Sequence, residues 1–308
     1  MFKVHFYTDL GCDIDDLCAL AMLLNWPEVD LVGITTVSDN QGKRAGYTRY
    51  ALRLVGREDI PLAAGADASL DCYRVYPGLP DEAIYWPEPI APAPLELDYA
   101  LSLLERSIEQ GAIITAVGPY TNLALLERRS PGILRKANLY LMGGYVFPPR
   151  EGFPRWGIDT DWNVQADIQS AQYVLQHSSP TIVPVTITIE TALRRAYLPT
   201  LKEAGPLTQL IARQAEAFAR EWNNEENYGR TCKGLPADTI NFQHDPLACA
   251  IALGWNEGVE IREIPLKFVI EDGWLYPRIE EGGAPTKVVT RVNGDQFNEF
   301  WLRMVTGR

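Results

Sequence analysis

Apolar residues come in blocks along this chain, and the spacing within each block predicts an element. KVHFYT (3–8) is rich in β-branched and aromatic residues and predicts a strand. In DDLCALAMLLNW (15–26), Leu17, Leu20, Ala21 and Leu24 share one helical face, and Pro27 stops the run. DLVGITTV (30–37) predicts a fully buried strand, KRAGYTRYALRLVG (43–56) a helix closed by Gly56, and PLAAG (61–65) a short strand. Unbroken apolar strands alternating with helices predict a parallel sheet covered on both faces.

The rhythm lapses over 66–94, which holds six prolines and predicts a long loop of the functional kind. It resumes with a helix near 95–110, a strand at 112–117, a helix near 120–129 and a strand at 138–142. An irregular stretch follows at 143–160, then a helix (165–177), a strand (181–188) and a long helical run (205–226). Residues 227–243 are polar and irregular, 245–253 helical, and the tail alternates short strands before a helix near 295–305. Without a repeat or linker, residues 1–308 read as one α/β domain. Its open, mostly parallel central sheet is flanked by helices, with the active site at the carboxyl edge of the strands.

Composition narrows the partners. Lys and Arg total 28 against 40 Asp and Glu, a net charge of −12. That excess opposes phosphate neutralisation, so neither a nucleic-acid polymer nor an anionic membrane surface is the expected partner. Cys12, Cys18, Cys72, Cys232 and Cys249 are odd in number and form no CxxC pair, which argues against a disulfide framework or zinc ribbon. MFKVHFYTD enters a strand without a signal-peptide pattern, and no apolar run reaches bilayer-spanning length. The expectation is a soluble cytoplasmic protein.

The chemistry concentrates in TDLGCDIDDL, where Asp9, Asp13, Asp15 and Asp16 crowd the end of the first strand. Such carboxylates repel one another, and a hard cation with an oxygen shell relieves that repulsion. Alternatively, Asp15 and Asp16 simply complement a helix dipole. EF-hand spacing fails, because Leu20 falls where the bidentate Glu belongs. Asp13-Ile14-Asp15 has the DxD form of a phosphoaspartyl-type phosphatase, though placed past the strand end. Three more stations follow predicted strands or open helices. Asp39-Asn40 reads as a ligand contact or an Asx turn, and Val117-Gly118-Pro119 frees a carbonyl. His244-Asp245-Pro246 offers a remote metal ligand and a proton donor, or only a helix cap.

Together these motifs resemble the inosine–uridine-preferring nucleoside hydrolase family. The acidic loop resembles a lengthened form of its DxDxxxDDA signature; GITTVSDN resembles GITTVxGN; VGPYTNLA resembles TGPLTNLA; HDPLACA resembles HDPLA. LMGG followed by DTDWNVQAD is similar to MGG followed by AEFNxxxDP, and the matches keep family order across nearly the whole chain. The resemblance implies Ca²⁺-dependent hydrolysis of the N-glycosidic bond of ribonucleosides, releasing base and ribose.

Carried over by position, Asp9, Asp16, Asp245 and the Val117 carbonyl hold the ion, and Asp9 activates its bound water. Asp15, Asn40, Asp161 and Asn163 contact ribose, and His244 stands near the leaving base. Trp156, Tyr228, Trp162 and Trp222 are candidates to stack on that base. The chain also departs from the pattern. Tyr7 stands where the signature's first Asp belongs, Asp13 has no clear counterpart, Asp39 replaces a Gly and Asp161 a Glu. The family's 5′-hydroxyl Asn falls near Arg155 or Trp156, and Tyr76 lies near the place of a loop histidine that some members carry. Arg150 and Arg155 then suggest a larger or anionic 5′ group, so a 5′-modified nucleoside or related N-riboside is an alternative substrate. The other alternative is a Mg²⁺-dependent phosphohydrolase using Asp13 and Asp15. The family suggests a homodimer or homotetramer.

Overall fold

The computed structural model describes residues 1–11, 13–70 and 78–307. Its main sheet has nine strands in the order β10-β9-β11-β6-β5-β4-β1-β2-β3. Their ranges are β1 Phe2–Thr8, β2 Val29–Thr36, β3 Leu62–Ala64, β4 Ile113–Ala116, β5 Asn138–Met142, β6 Thr181–Val183, β9 Glu260–Glu271, β10 Trp274–Ile279 and β11 Ala284–Arg291. Neighbours from β3 through to β11 are parallel, while β9 joins β11 and β10 antiparallel. A separate ribbon pairs β7 (Leu193–Arg194) with β8 (Thr239–Asn241).

Strand alternation sends successive side chains to opposite faces. In β1, Val4 and Phe6 join one apolar cluster, and Tyr7 joins the other. The first cluster takes in helices α1 (Asp15–Asn25), α2 (Lys43–Leu54), α10 (Pro206–Trp222), α11 (His244–Ala252) and α12 (Gly294–Thr306). The second takes in α4 (Leu97–Glu109), α5 (Thr121–Arg129) and α7 (Ile168–His177). Both faces of the parallel strands are therefore covered, which is why apolar residues dominate their buried stretches. On α12, the fully buried Trp301 donates from Nε1 to the Cys18 carbonyl at 3.1 Å and docks the C-terminal helix on α1. Truncating such a side chain costs about 3–5 kcal/mol.

Differences from the sequence reading have local causes. The strand expected over 181–188 stops at Val183, because Pro184 has no N–H for the ladder; a helical turn, α8 (Val185–Thr188), replaces the rest. The helix expected over 165–177 divides into α6 (Trp162–Gln165) and α7, and Asp167 caps α7 through the Ser170 N–H at 3.1 Å. The run over 205–226 ends at Trp222, where Asn223 turns left-handed (φ 51°), and a π-turn occupies Glu225–Gly229. The tail holds a twelve-residue strand rather than short ones only. Short elements also appear inside the expected loops, α3 (Glu82–Tyr85) and β8, and α9 (Leu198–Ala204) fills a stretch to which no element was assigned. Tyr76 lies outside the described residues. Among those residues, no helix is long and apolar enough to cross a membrane.

Candidate active site

Strand order decides where the chemistry gathers. From β1 the chain moves outward to β2 and β3, then returns to β4 on the other side of β1 and moves outward to β5 and β6. The crevice between the carboxyl ends of β1 and β4 is the switch point at which open α/β sheets take ligands. Asp9 follows β1, and Val117 follows β4, its N–H donating to the Tyr7 carbonyl at 2.8 Å. A Cβ on Gly118 would lie 2.7 Å from Asp9 Oδ1 and 3.0 Å from Asp9 N, so glycine alone lets the two loops close.

α1 begins under this crevice, and α11 packs against it. Their first turns carry Asp15, Asp16 and Asp245, each offering one carboxylate oxygen within 4.8 Å of the others. All three are at most 4% exposed. The Thr8 hydroxyl donates to Asp16, and the Asp245 N–H donates to Asp15 at 3.3 Å. Burial first, and repulsion by neighbouring carboxylates next, hold all three well above the usual carboxylate range. Burial also pushes Asp9 and Asp13 up to about 6, while the Arg44 charge opposes the rise at Asp9. Asp13 accepts from the Ile14 N–H and from Asn241 Nδ2, so it braces the loop against β8. Buried carboxylates with so few donors call for a cation. The donors are all oxygens, which fits a hard divalent ion and not a zinc-type thiolate or imidazole site.

Beside the acids lies a second polar group. Asp161 is 1% exposed and accepts from the Gly144 N–H at 2.7 Å and the Val164 N–H at 3.4 Å. Burial pushes it up to about 7. Asn163 directs Nδ2 to the Val117 carbonyl at 2.7 Å and to the Met142 carbonyl at 3.2 Å. It therefore fixes the Val117 carbonyl, whose second lone pair stays available to a ligand. Asn40 is exposed and left-handed, with φ 54°.

Aromatic rings form the third part. Trp156 packs on Phe242 (4.9 Å between ring centroids), Tyr228 (5.8 Å) and His244 (5.9 Å). His244 Nδ1 lies 2.6 Å from the Thr188 hydroxyl, which itself donates to the Val185 carbonyl at 3.1 Å. Thr188 thus accepts from Nδ1–H, which leaves a lone pair on Nε2. Burial lowers the His244 imidazole to about 3, so the ring is neutral at physiological pH.

Comparison with known proteins decides what these parts belong to. Residues 4–299 match the family model for inosine-uridine preferring nucleoside hydrolase. The chain belongs to that family. It is an N-ribosyl hydrolase of a metal-dependent family, in which the glycosidic bond of ribonucleosides is cleaved. The pyrimidine-specific ribonucleoside hydrolase RihA of Citrobacter koseri is 30% identical over 251 residues, covering 77% of this chain and 75% of the relative. Among solved structures, the purine-preferring ribonucleoside hydrolase of Gardnerella vaginalis superposes with a TM-score of 0.79 at 19% identity, covering 99% of this chain and 98% of that one. A plant nucleoside hydrolase superposes at 0.78, also at 19% identity, covering 100% and 99%.

In this nucleoside hydrolase, Asp9, Asp15, Asp16, Asp245 and Val117 meet at the strand switch point. Asp15, expected on the ribose, shares the carboxylate triad. Asp161 and Asn163 adjoin the site through Gly144 and Val117. Trp156, Tyr228 and His244 come together in the aromatic group, whereas Trp162 and Trp222 are exposed at 45% and 56%. Arg155 is exposed, and Arg150 forms a two-pronged ion pair with the buried Glu190. Sequence reasoning missed Arg44, Thr188 and Asn241. Arg44 had a signal: it shares a helical face with Tyr47, Thr48 and Ala51, where a solvent-seeking cation is out of place.

Proposed function

We propose that the protein hydrolyses ribonucleosides in a Ca²⁺-dependent reaction within a single domain. The observation that carries this reading is the buried Asp15–Asp16–Asp245 triad beside Asp9 at the strand switch point. Asp15, Asp16 and Asp245, with the Val117 carbonyl and Asp9, would hold the ion; when bound, it would polarise a water and the ribose hydroxyls. Asp9 accepts the proton of the attacking water. Asp161 faces the ribose with a carboxyl near half-protonation at neutral pH, able to accept from or donate to a hydroxyl. Asn40 contacts the same sugar from the end of β2. C1′ becomes oxocarbenium-like as the glycosidic bond breaks, and nearby carboxylates stabilise that charge.

Trp156 and Tyr228 supply stacking surface at the base end, the departing base takes its proton from a water, and His244 offers Nε2 as an acceptor beside it. The exposed Arg155 can reach a substrate's 5′ end, whereas Arg150 is already neutralised by Glu190. Family membership does not favour the phosphohydrolase alternative, and Asp13 is occupied as a brace. Inosine, uridine and a nitrophenyl riboside should be turned over with added Ca²⁺, and a chelator should abolish the activity. Absence of turnover of every N-riboside by the metal-loaded protein would overturn the proposal.

A further inference from the structure

Arg44 is the feature that the proposed chemistry leaves unexplained. It sits in the first turn of α2, is 1% exposed, and has a guanidinium with two carbonyl partners from different loops. Nε donates to the Ser38 carbonyl at 2.7 Å, and Nη1 donates to the Asp9 carbonyl. Ser38 lies in the loop after β2, and Asp9 opens the loop after β1. The Ser38 loop is strained: Ser38, Asn40 and Gln41 have φ of 49°, 54° and 60°, a region that non-glycine residues rarely adopt. Such a loop persists only when its surroundings fix it. Asp39 supplies part of that restraint by accepting from the Arg44 N–H at 2.9 Å, the Ala45 N–H at 3.3 Å and the Thr36 hydroxyl.

We propose that Arg44 is a positioning residue for the hydrolysis, its forked guanidinium locking the Asn40 loop that faces ribose to the Asp9 loop that activates water. The inference rests on the nucleoside hydrolase reading of those two loops. A planar fork holds two carbonyls at a fixed separation, and a lysine ammonium does not reproduce that geometry. The guanidinium also lies close enough to oppose proton uptake by Asp9 and Asp16. The carboxylate triad is built from α1 and α11, whereas the two carbonyls that Arg44 grips belong to the loops after β2 and β1.

The test compares wild type with Arg44→Lys and Arg44→Met. Steady-state kinetics on the best ribonucleoside is run alongside calorimetric titration with Ca²⁺ alone and circular dichroism. Arg44→Lys should keep the wild-type fold and lose no more than about tenfold in Ca²⁺ affinity, because of the proposed ion ligands only Asp9 lies on a loop that Arg44 grips. Its kcat/KM should fall about 100-fold, the scale expected when reacting groups are misplaced by about 1 Å, with loss in both kcat and KM. Arg44→Met should lose at least as much; if it does not fold, the lysine variant carries the test. A folded Arg44→Lys with kcat/KM within threefold of wild type would overturn the inference. So would loss of Ca²⁺ binding in step with loss of rate, which would make Arg44 a support for the fold. If wild type itself turns over no N-riboside, the functional reading fails first; an active wild type matched by Arg44→Lys removes only the role of Arg44.

Discussion

The buried carboxylates tie cation binding to pH, and the sign follows from their direction of shift. A carboxyl whose folded pKa lies above its unfolded value contributes stability that is complete below the unfolded value, here 3.8, and is lost as pH rises through the folded value. For Asp9 and Asp13 that loss is complete near pH 6 and for Asp161 near pH 7, and burial moves the triad in the same direction. A rise from 3.8 to about 6 corresponds to about 3 kcal/mol for one group. Buried neutral His5 and His244, both lowered to about 3 by burial, act in the opposite direction as pH falls. Their contribution largely cancels when protein with and without cation is compared at one pH. A bound cation competes with protons at these raised carboxyls, so each proton it displaces weakens binding by about 1.4 kcal/mol per unit fall in pH. One proton carried from pH 7 to pH 5 removes about 3 kcal/mol of cation-induced stabilisation. At about 2 °C per kcal/mol for a chain of this size, that is about 6 °C in Tm. Scanning calorimetry with Ca²⁺ or with chelator, at pH 5, 6 and 7, reads it directly. The Ca²⁺-induced rise in Tm should grow with pH. A rise that is constant, or that shrinks toward pH 7, would refute the assignment of the triad as the cation site.

Three substitutions probe the reacting groups. Asp9→Asn should lower kcat by orders of magnitude while calorimetric ribose affinity stays nearly intact; equal loss of both would make Asp9 chiefly a ligand. His244→Ala should cost less than about tenfold in kcat/KM on inosine or uridine, because a neutral Nδ1–H ring is a poor proton donor. A fall beyond 100-fold on those substrates, with none on a nitrophenyl riboside, would identify His244 as the leaving-group acid. Gly118→Ala places a methyl 2.7 Å from Asp9 Oδ1 and should cost about 100-fold in kcat with Tm lowered by only a few degrees; wild-type kcat would show that the crevice tolerates widening.

The parallel sheet and its helices were legible because buried strands and amphipathic helices leave different apolar spacings. Misreadings arose where one residue overrides the spacing, as Pro184 does by ending β6 and as Asp167 does by starting a new helix. The acidic loop announced a cation, but one sequence carries no angle. The winding of α1 brings Asp15 to Asp16 and Asp245, and this appears only once α11 lies against α1. Asn40 was visible as a polar residue after a strand, and Asn163 through its place in the family pattern. That Asn163 holds a backbone carbonyl depends on β4 lying beside β5, a long-range pairing that local pattern does not encode. Thr188 could not be found at all, because it sat inside a stretch read as strand.

The direction of β1 has a practical consequence. Residue 1 lies at the amino end of a seven-residue strand whose carboxyl end delivers Asp9. At about 3.3 Å per residue, about 20 Å of covered sheet separates Phe2 from the crevice. A tether at the exposed Lys3 would hold the protein by the end of the sheet opposite its crevice and leave the mouth turned away from the support.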